Sequence, residues 1–145
     1  MGSILVFAEQ REGAIKHVAF EALGEARRLL QKKGGGTVNA VLIGAGCAAA
    51  ATRLSKGGAD RVYLADDPLF RFYSPERYAI VLSDLIKATQ PSLVLMGATA
   101  MGKDLGPKVA AKISAPLAQD CTVFDFDPEK GVIATRPIYG GKVMA

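Results

Sequence analysis

The stretch from Gly97 to Lys103 (GATAMGK) has the residue types and spacing that come nearest to a site for chemistry. It spells GxxxxGK, the first seven positions of a phosphate-binding loop in which backbone N–H groups and a lysine hold nucleotide phosphates. Such a loop continues with a serine or threonine that holds magnesium, whereas this sequence continues with Asp104. Because a carboxylate there would repel a β-phosphate, we expect no nucleoside triphosphate hydrolysis.

A second glycine motif, Gly44 to Ala49, matches the GxGxxA pattern of dinucleotide-binding turns, and Asp66 follows at about the expected distance of 20 residues. The motif comes after the second predicted strand and before a short, alanine-rich helix. Close packing of helix on strand therefore explains its small residues better than NAD binding does. Asp66 and Asp67 read as an exposed turn and not as a paired-carboxylate site.

Residues for acid–base, nucleophilic or metal chemistry are few. His17, the only histidine, falls on the polar face of a predicted helix over 14–33 and is expected to be exposed. Cys47 and Cys121 are far apart and have neither metal-ligand nor disulfide spacing, which fits a reducing compartment. We therefore expect no catalytic residues and no metal site.

The elements that must position these residues follow from the hydrophobic pattern. Short apolar runs predict four buried strands at residues 4–8, 38–43, 61–65 and 92–97, each followed by a helical pattern. Alternating apolar and polar residues after Pro116 predict an antiparallel extension over about 118–145. We predict an α/β fold, a three-layer α/β/α domain spanning 1–145, with a mainly parallel sheet, right-handed crossovers and that antiparallel C-terminal extension.

This topology locates the candidate ligand site. If the strand order reverses between the first and fourth strands, a crevice opens outside their carboxyl ends, lined by 9–13 and 97–103. The polar loop 9–13 and the glycine loop then face each other. The helix after the glycine loop is predicted to have Asp104 as its N-cap and Pro107 in its first turn. The candidate residues for binding any ligand are Glu9, Thr99, Gly102 and Lys103.

Composition excludes several classes of protein. The net charge is +4, but lysines and arginines are scattered, which argues against a nucleic-acid surface. The longest run of small apolar residues, 40–51, is shorter than the roughly 20 residues of a membrane span. No signal or transit peptide is visible. We therefore expect a cytoplasmic bacterial or archaeal protein, or a mitochondrial matrix protein if the source is eukaryotic.

Several stretches together resemble the electron transfer flavoprotein alpha subunit. They are LVFAEQREG, GADRVYLADDP, YSPERY, PSLVLMGATAMGKDLGPKVAAKISAPLAQDC and ATRPIYGGKVMA. The resemblance covers essentially the whole chain in the right order, and GATAMGKDLGPKVAAKI and TRPIYGG are its most specific parts. It also accounts for Asp104, since the loop of this sequence resembles the corresponding loop of the family and not the loop of a nucleotide-hydrolysing protein.

The resemblance implies a Rossmann-like, adenine-nucleotide-hydrolase-like domain in an electron carrier, not a catalyst on its own. In that family, alpha and beta subunits form a heterodimer that carries FAD. It takes electrons from flavin dehydrogenases, such as those of fatty acid oxidation, and passes them toward the respiratory chain. Some members instead bifurcate electrons from NADH. The alpha N-terminal domain is mainly a scaffold that packs on the beta subunit.

The family's FAD-binding half lies downstream of the region present in this sequence. The resemblance therefore implies that this chain alone binds no FAD, and that Glu9, Thr99, Gly102 and Lys103 line at most a vestigial nucleotide crevice. The edge at 138–145 would be left uncovered, so self-association through it is expected. The alternative is a stand-alone adenine-nucleotide-binding α/β module that uses the Gly97–Lys103 loop.

Overall fold

The structure is a computed structural model that describes residues 2–32, 34–114, 123–127, 131–136, 138–139 and 142–143. A short 3₁₀ turn, Pro68–Phe70, precedes the third helix. In chain order the other elements are β1 (Ser3–Phe7), β2 (Gln10–Arg11), β3 (Ala14–Ile15), α1 (His17–Lys32), β4 (Thr37–Gly44), α2 (Ala48–Lys56), β5 (Arg61–Asp66), α3 (Pro75–Thr89), β6 (Leu93–Leu95), α4 (Ala100–Ile113), β7 (Val123–Asp127), β8 (Gly131–Arg136), β9 (Ile138–Tyr139) and β10 (Lys142–Val143).

Four parallel strands form the central sheet in the order β5-β4-β1-β6. β1 is the inner strand where the order reverses, since Ile4 pairs with Val38 of β4 on one side and with Leu93 of β6 on the other. The chain first builds outward from β1 through β4 to β5 and then returns to the far side of β1. The strand order therefore reverses between the first and fourth strands of the sheet, which is the condition under which a crevice was expected outside their carboxyl ends.

Both faces of the sheet are covered, because successive side chains of a strand point to opposite sides. On one face Ile4 and Val6 pack in a buried cluster with residues of α1 and α2. On the other face Leu5 and Phe7 pack with residues of α3 and α4. These two clusters give the three α/β/α layers, and the predicted fold class is confirmed.

The segment predicted as a polar loop, residues 9–13, forms part of a small hairpin. β2 pairs antiparallel with β3, and the two residues between them, Glu12 and Gly13, both have positive φ (54° and 83°). Such a two-residue turn matches the twist of the flanking strands. Because Ile15 lies in β3, α1 begins at His17, so the predicted start of this helix at Ala14 was wrong.

The start of α4 also differs from the prediction. The helix begins at Ala100 with Thr99 as its N-cap, so Asp104 lies inside the helix and does not cap it. Pro107 consequently lies in the helix interior and not in the first turn. At this position it lacks the N–H that would otherwise bond to the preceding turn of the helix. The local pattern around Asp104 resembled a helix start, but the threonine hydroxyl supplies the capping oxygen.

The C-terminal strands pair antiparallel as predicted: β7 with β8, and β9 with β10. The bounds of the extension, about 118–145, and of the domain, 1–145, remain predictions. Cys121 lies outside the described residues. Within the described part of the chain, no helix is long and apolar enough to cross a bilayer.

Candidate functional site

The carboxyl ends of β1 and β6 bring together two residues that are ninety positions apart in sequence. Glu9 leaves the end of β1, and Thr99 leaves the end of β6. The hydroxyl of Thr99 donates a hydrogen bond to Oε1 of Glu9. Oε2 of the same carboxylate lies 3.4 Å from Nζ of Lys16, and Glu9 is only 4% exposed. The crevice therefore contains a buried, fully engaged carboxylate.

Thr99 uses both functions of its hydroxyl. Its oxygen accepts a hydrogen bond from the backbone N–H of Gly102 at 3.1 Å while its proton goes to Glu9. The backbone carbonyl of Thr99 accepts from the N–H of Lys103 at 2.8 Å. The first turn of α4 is thus capped by a side chain of its own loop. Three of the four predicted residues, Glu9, Thr99 and Gly102, belong to one hydrogen-bonded group.

The two glycines of the loop allow close approach of the backbone. A Cβ atom on Gly102 would collide with the carbonyl oxygen of Gly97. A Cβ atom on Gly97 would lie 2.8 Å from Cγ2 of Val18 on α1. These spaces are filled by protein atoms, so the glycines serve packing within the loop. Lys103, the fourth predicted residue, has an exposed side chain at the start of α4.

The N-terminus of α4 already has an anion beside it. The N-terminus of a helix carries a partial positive charge that favours anions. Here the carboxylate of Glu9 lies beside the capping threonine, so the chain supplies an anion of its own, and Lys16 offsets part of the charge of that carboxylate. A phosphate placed at this helix end would have to compete with Glu9 for the same donors.

Asp104, the residue that departs from a phosphate-binding loop, has a partner of its own. The hydroxyl of Tyr73 donates to Oδ2 of Asp104 at 2.6 Å, and Nζ of Lys108 lies 3.8 Å from Oδ1. Burial, and after it the charge and hydrogen bond of Asp104, raise the pKa of Tyr73. The Tyr73 ring packs edge-on against Tyr78 at 5.0 Å. Asp104 therefore connects α4 to the chain before α3.

The second glycine motif is likewise satisfied from within. The backbone N–H of Gly46 donates to Oδ1 of Asp66 at 2.7 Å, so the acidic residue of the apparent fingerprint bonds to its own chain. A Cβ atom on Gly44 would lie 2.6 Å from Nε2 of Gln10, a buried amide that donates to the carbonyl of Ile43. Cys47 is buried, and burial raises the pKa of its thiol. This geometry agrees with the packing interpretation of the motif.

The remaining candidates lie on the surface. His17 has a side chain that is 84% exposed, as predicted, with Nε2 at 4.0 Å from Oε1 of Glu21. Asp67 is also exposed, and its carboxylate accepts from the N–H of Leu69. In the part of the chain that the structure describes, no three His, Cys, Asp or Glu side chains are grouped to hold a metal ion.

Sequence reasoning missed Lys16, Gln10 and Tyr73. Lys16 pairs with Glu9, Gln10 supports the loop beside it, and Tyr73 binds Asp104. No local pattern identified these residues, because each of the three reaches its partner across the fold or around a hairpin. Gln10 follows a predicted strand end closely in sequence, which was a usable signal for that residue, whereas Tyr73 lies just before a helix.

The fold and site define a class: a parallel α/β domain that holds a buried carboxylate of its own at the point where the strand order reverses. The chain matches the family model described as electron transfer flavoprotein domain over residues 4–145, and it belongs to that family. It is 45% identical over 142 residues to the electron transfer flavoprotein subunit alpha of Thermoanaerobacterium thermosaccharolyticum. It is 40% identical over 143 residues to the protein of the same name from Clostridium acetobutylicum.

A third relative has a different name. The chain is 38% identical over 142 residues to the lactate dehydrogenase (NAD(+),ferredoxin) subunit LctC of Acetobacterium woodii. Each of the three alignments covers 98% of this chain, but only 43%, 42% and 34% of the relatives' own lengths. The chain thus spans less than half the length of these curated relatives, and the match identifies it as an alpha-type domain of the family.

Proposed function

We propose that this chain is the N-terminal scaffold domain of an electron transfer flavoprotein alpha subunit. In this proposal it pairs with a beta subunit in a heterodimer, and FAD is held by a different part of that assembly. The heterodimer lies in the cytoplasm and carries electrons from flavin dehydrogenases toward the respiratory chain. The chain contributes structure and an interface, not a redox centre.

One observation carries the scaffold assignment. The buried carboxylate of Glu9 is bonded to Thr99 and Lys16 at the N-terminus of α4, where a nucleotide-binding relative of this topology would place a phosphate. A domain whose crevice is closed in this way can pack against partners without a ligand. The same observation argues against the alternative, a stand-alone adenine-nucleotide-binding module that uses Thr99, Gly102 and Lys103.

The electron donor is not fixed by membership of the family. LctC carries lactate dehydrogenase in its name, and another relative is named acryloyl-CoA reductase electron transfer subunit beta. We therefore propose only that a flavin dehydrogenase supplies the electrons. An acyl-CoA dehydrogenase of fatty acid oxidation is one such donor. The other option is a bifurcating role, in which the electrons come from NADH.

A domain exchange tests the proposed function. In a chimera, residues 4–145 of this chain replace the matching segment of the Thermoanaerobacterium thermosaccharolyticum alpha subunit. The chimera is co-expressed with the beta subunit of that organism. We expect the chimera to form a stable heterodimer with about one FAD, because a scaffold at 45% identity preserves its packing surfaces. Visible flavin absorbance and size-exclusion chromatography measure this, with the unmodified heterodimer as the control.

Two results would contradict the proposal. A folded chimera that stays apart from the beta subunit would show that the domain is not the scaffold of such a heterodimer. A 145-residue chain that is purified yellow, with bound flavin and no partner, would show that the redox centre lies within it.

A further inference from the structure

The strand β5 leaves one edge of the central sheet unpaired within the part of the chain that the structure describes. It stands at the end of the order β5-β4-β1-β6 and pairs only with β4. Proteins usually protect such an edge with lysines, a proline or a β-bulge. β5 has no lysine and no proline, its register with β4 is regular, and its Leu64 is 42% exposed. The edge is therefore open to another strand.

Hydrogen bonds along the sheet show which backbone groups of β5 face outward. In a strand, the backbone groups of successive residues point alternately to its two sides. The N–H of Ala8 donates to the carbonyl of Val41, so the odd-numbered residues of β4 face β1 and the even-numbered ones face β5. The N–H of Asp67 donates to the carbonyl of Gly44 at 3.0 Å, so the odd-numbered residues of β5 face β4. The residues that face outward are the even-numbered ones, Val62, Leu64 and Asp66.

A second copy of β5 fits this edge antiparallel. A pair of identical antiparallel strands related by a two-fold axis has one residue opposite its own copy. With Leu64 in that place, Val62 lies opposite Asp66, and the outward-facing residues of both copies exchange about six backbone hydrogen bonds. The two exposed Leu64 side chains then cover each other on the same face of the sheet. The pairing satisfies the free edge and removes an exposed apolar side chain from water.

Charges at the ends of β5 favour this register. It places Arg61 of each copy opposite Asp67 of the other, in a non-hydrogen-bonded pair where side chains are closest. Arg61 is exposed and makes no hydrogen bond or ion pair within the described residues. The backbone of Asp67 is extended, with φ −153° and ψ 142°, so the strand geometry continues to this residue. Its Oδ1 accepts from the N–H of Leu69, which leaves Oδ2 for a guanidinium.

The two neighbouring symmetric registers are less favourable. Centring the pair on Tyr63 would place Asp60 opposite Asp66, and like charges directly opposite each other are destabilising. Centring it on Ala65 would place Pro68 opposite an outward-facing residue, although proline has no N–H to donate. The sequence of β5 is therefore complementary to itself in the register centred on Leu64.

We propose that two copies of this chain pair antiparallel through β5, centred on Leu64 and closed at both ends by Arg61–Asp67 ion pairs. The pairing joins two four-stranded sheets into one continuous sheet. This inference does not rest on the proposed function. If that function also holds, the contact joins two heterodimers through their alpha-type domains.

Sedimentation velocity of the 145-residue chain, at concentrations up to about 1 mM, tests the proposal. We expect a reversible dimer with a Kd of about 0.1 mM or tighter. Leu64→Lys is expected to raise that Kd at least about tenfold, because two lysines would then lie opposite each other at the centre of the pair. Ile80→Lys, at a side chain 51% exposed on α3, is the matched control and should change Kd by less than about twofold.

A pair of charge variants tests the register itself. Arg61→Glu faces Asp67 with a like charge at both ends, so Kd should rise about fivefold or more, with a larger effect at low salt. Asp67→Lys should do the same against Arg61. A mixture of the two variants restores an opposite-charge pair at each end, so we expect a mixed dimer about as tight as the wild-type dimer. Melting temperatures of both variants verify that each chain is folded.

Three results would overturn the proposal. A wild-type chain that stays monomeric at the highest concentration would show that the edge is not used. A dimer that Leu64→Lys leaves unchanged would place the contact elsewhere, for example at the expected edge over 138–145. A mixture of folded Arg61→Glu and Asp67→Lys chains that dimerises no better than either variant alone would exclude the Leu64-centred register.

Discussion

Carboxylates at the ends of the strands act as internal anions in this domain. Glu9 lies at the capped end of α4, and Asp66 accepts the N–H of Gly46 just before α2. In each case a side chain satisfies backbone or hydroxyl donors that a ligand would use in a nucleotide-binding protein of similar topology. The residues that looked like remnants of two ligand motifs are therefore explained by contacts within the chain.

A third carboxylate makes the stability of the domain depend on pH. Oδ2 of Asp60 accepts from the N–H of Val38 at 2.8 Å and from Nη2 of Arg27 at 2.7 Å. The Val38 N–H, and to a lesser degree Arg27, hold the pKa of Asp60 below its ordinary value of 3.8, although partial burial opposes them. The ionised carboxylate therefore stabilises the folded chain. That contribution is present above the ordinary pKa and is lost as the pH falls through the lowered one.

Asp60→Asn should consequently destabilise the chain by about 0.5–1.5 kcal/mol at neutral pH, a value kept small because the side chain is 44% exposed. The difference from wild type should shrink as the pH falls through the lowered pKa of Asp60, because protonation removes the charge that distinguishes the two side chains. Urea unfolding at neutral pH and through the acidic range measures it. Asp84→Asn, an exposed position on α3, is the control. A difference that stays constant with pH would contradict the charge-based explanation.

At the scale of elements, the sequence predicted which strands and helices exist better than it predicted where they begin and end. β1 was found because an unbroken apolar run is typical of a strand covered on both faces, and β4 was found from a mainly apolar run that only Asn39 interrupts. The start of α4 was assigned to Asp104 because Asp–x–x–Pro is a good local helix start. Thr99 prevails because its hydroxyl also reaches Glu9, ninety positions away. A contact of that range leaves no trace in the local pattern.

The first turn of α4 gives a prediction at this scale. Gly102→Ala should destabilise the chain by about 1–3 kcal/mol, because its Cβ has no room against the Gly97 carbonyl and the loop must move. Chemical denaturation measures the change. Gly24→Ala is the matched control on α1, where no atom lies within 4 Å of the new Cβ. It should stabilise the chain by about 0.5–1 kcal/mol, the usual gain inside a helix.

The two glycine variants together test whether the loop has room for a side chain at Gly102. If Gly102→Ala were as stable as wild type while Gly24→Ala behaved as expected, the loop would have space for a side chain. The loop would then be less tightly packed than the contacts of Gly102 indicate.

At the scale of the whole molecule, alternating strands and helices were enough to predict three layers and a mainly parallel sheet. The reversal of strand order at β1 was only assumed as a condition, and the structure shows it. The same reasoning placed Glu9 opposite Thr99. It did not predict that the two residues bind each other, because in sequence an acceptor and a donor that bond to each other look the same as a pair that binds a ligand. The exposure of Leu69 and Phe72 was not predicted either, since exposure of an aromatic side chain depends on which elements cover it in the fold.

The expected self-association through residues 138–145 remains a prediction, because the side chains of that segment lie outside the described residues. The candidate residues Glu9, Thr99, Gly102 and Lys103 likewise remain a proposal as a vestigial crevice. In the proposed function, the domain is a scaffold in which the carboxylate of Glu9 occupies the place where a nucleotide phosphate would bind.

Titration of FAD with the purified 145-residue chain, followed by quenching of flavin fluorescence, tests that claim most directly. FAD carries the adenosine and pyrophosphate that an open crevice would bind, as well as the flavin ring. With Glu9 bonded to Thr99 and Lys16, we predict no saturable binding below about millimolar FAD, equivalent to no more than about 4 kcal/mol. Saturable binding with a micromolar Kd would contradict the account.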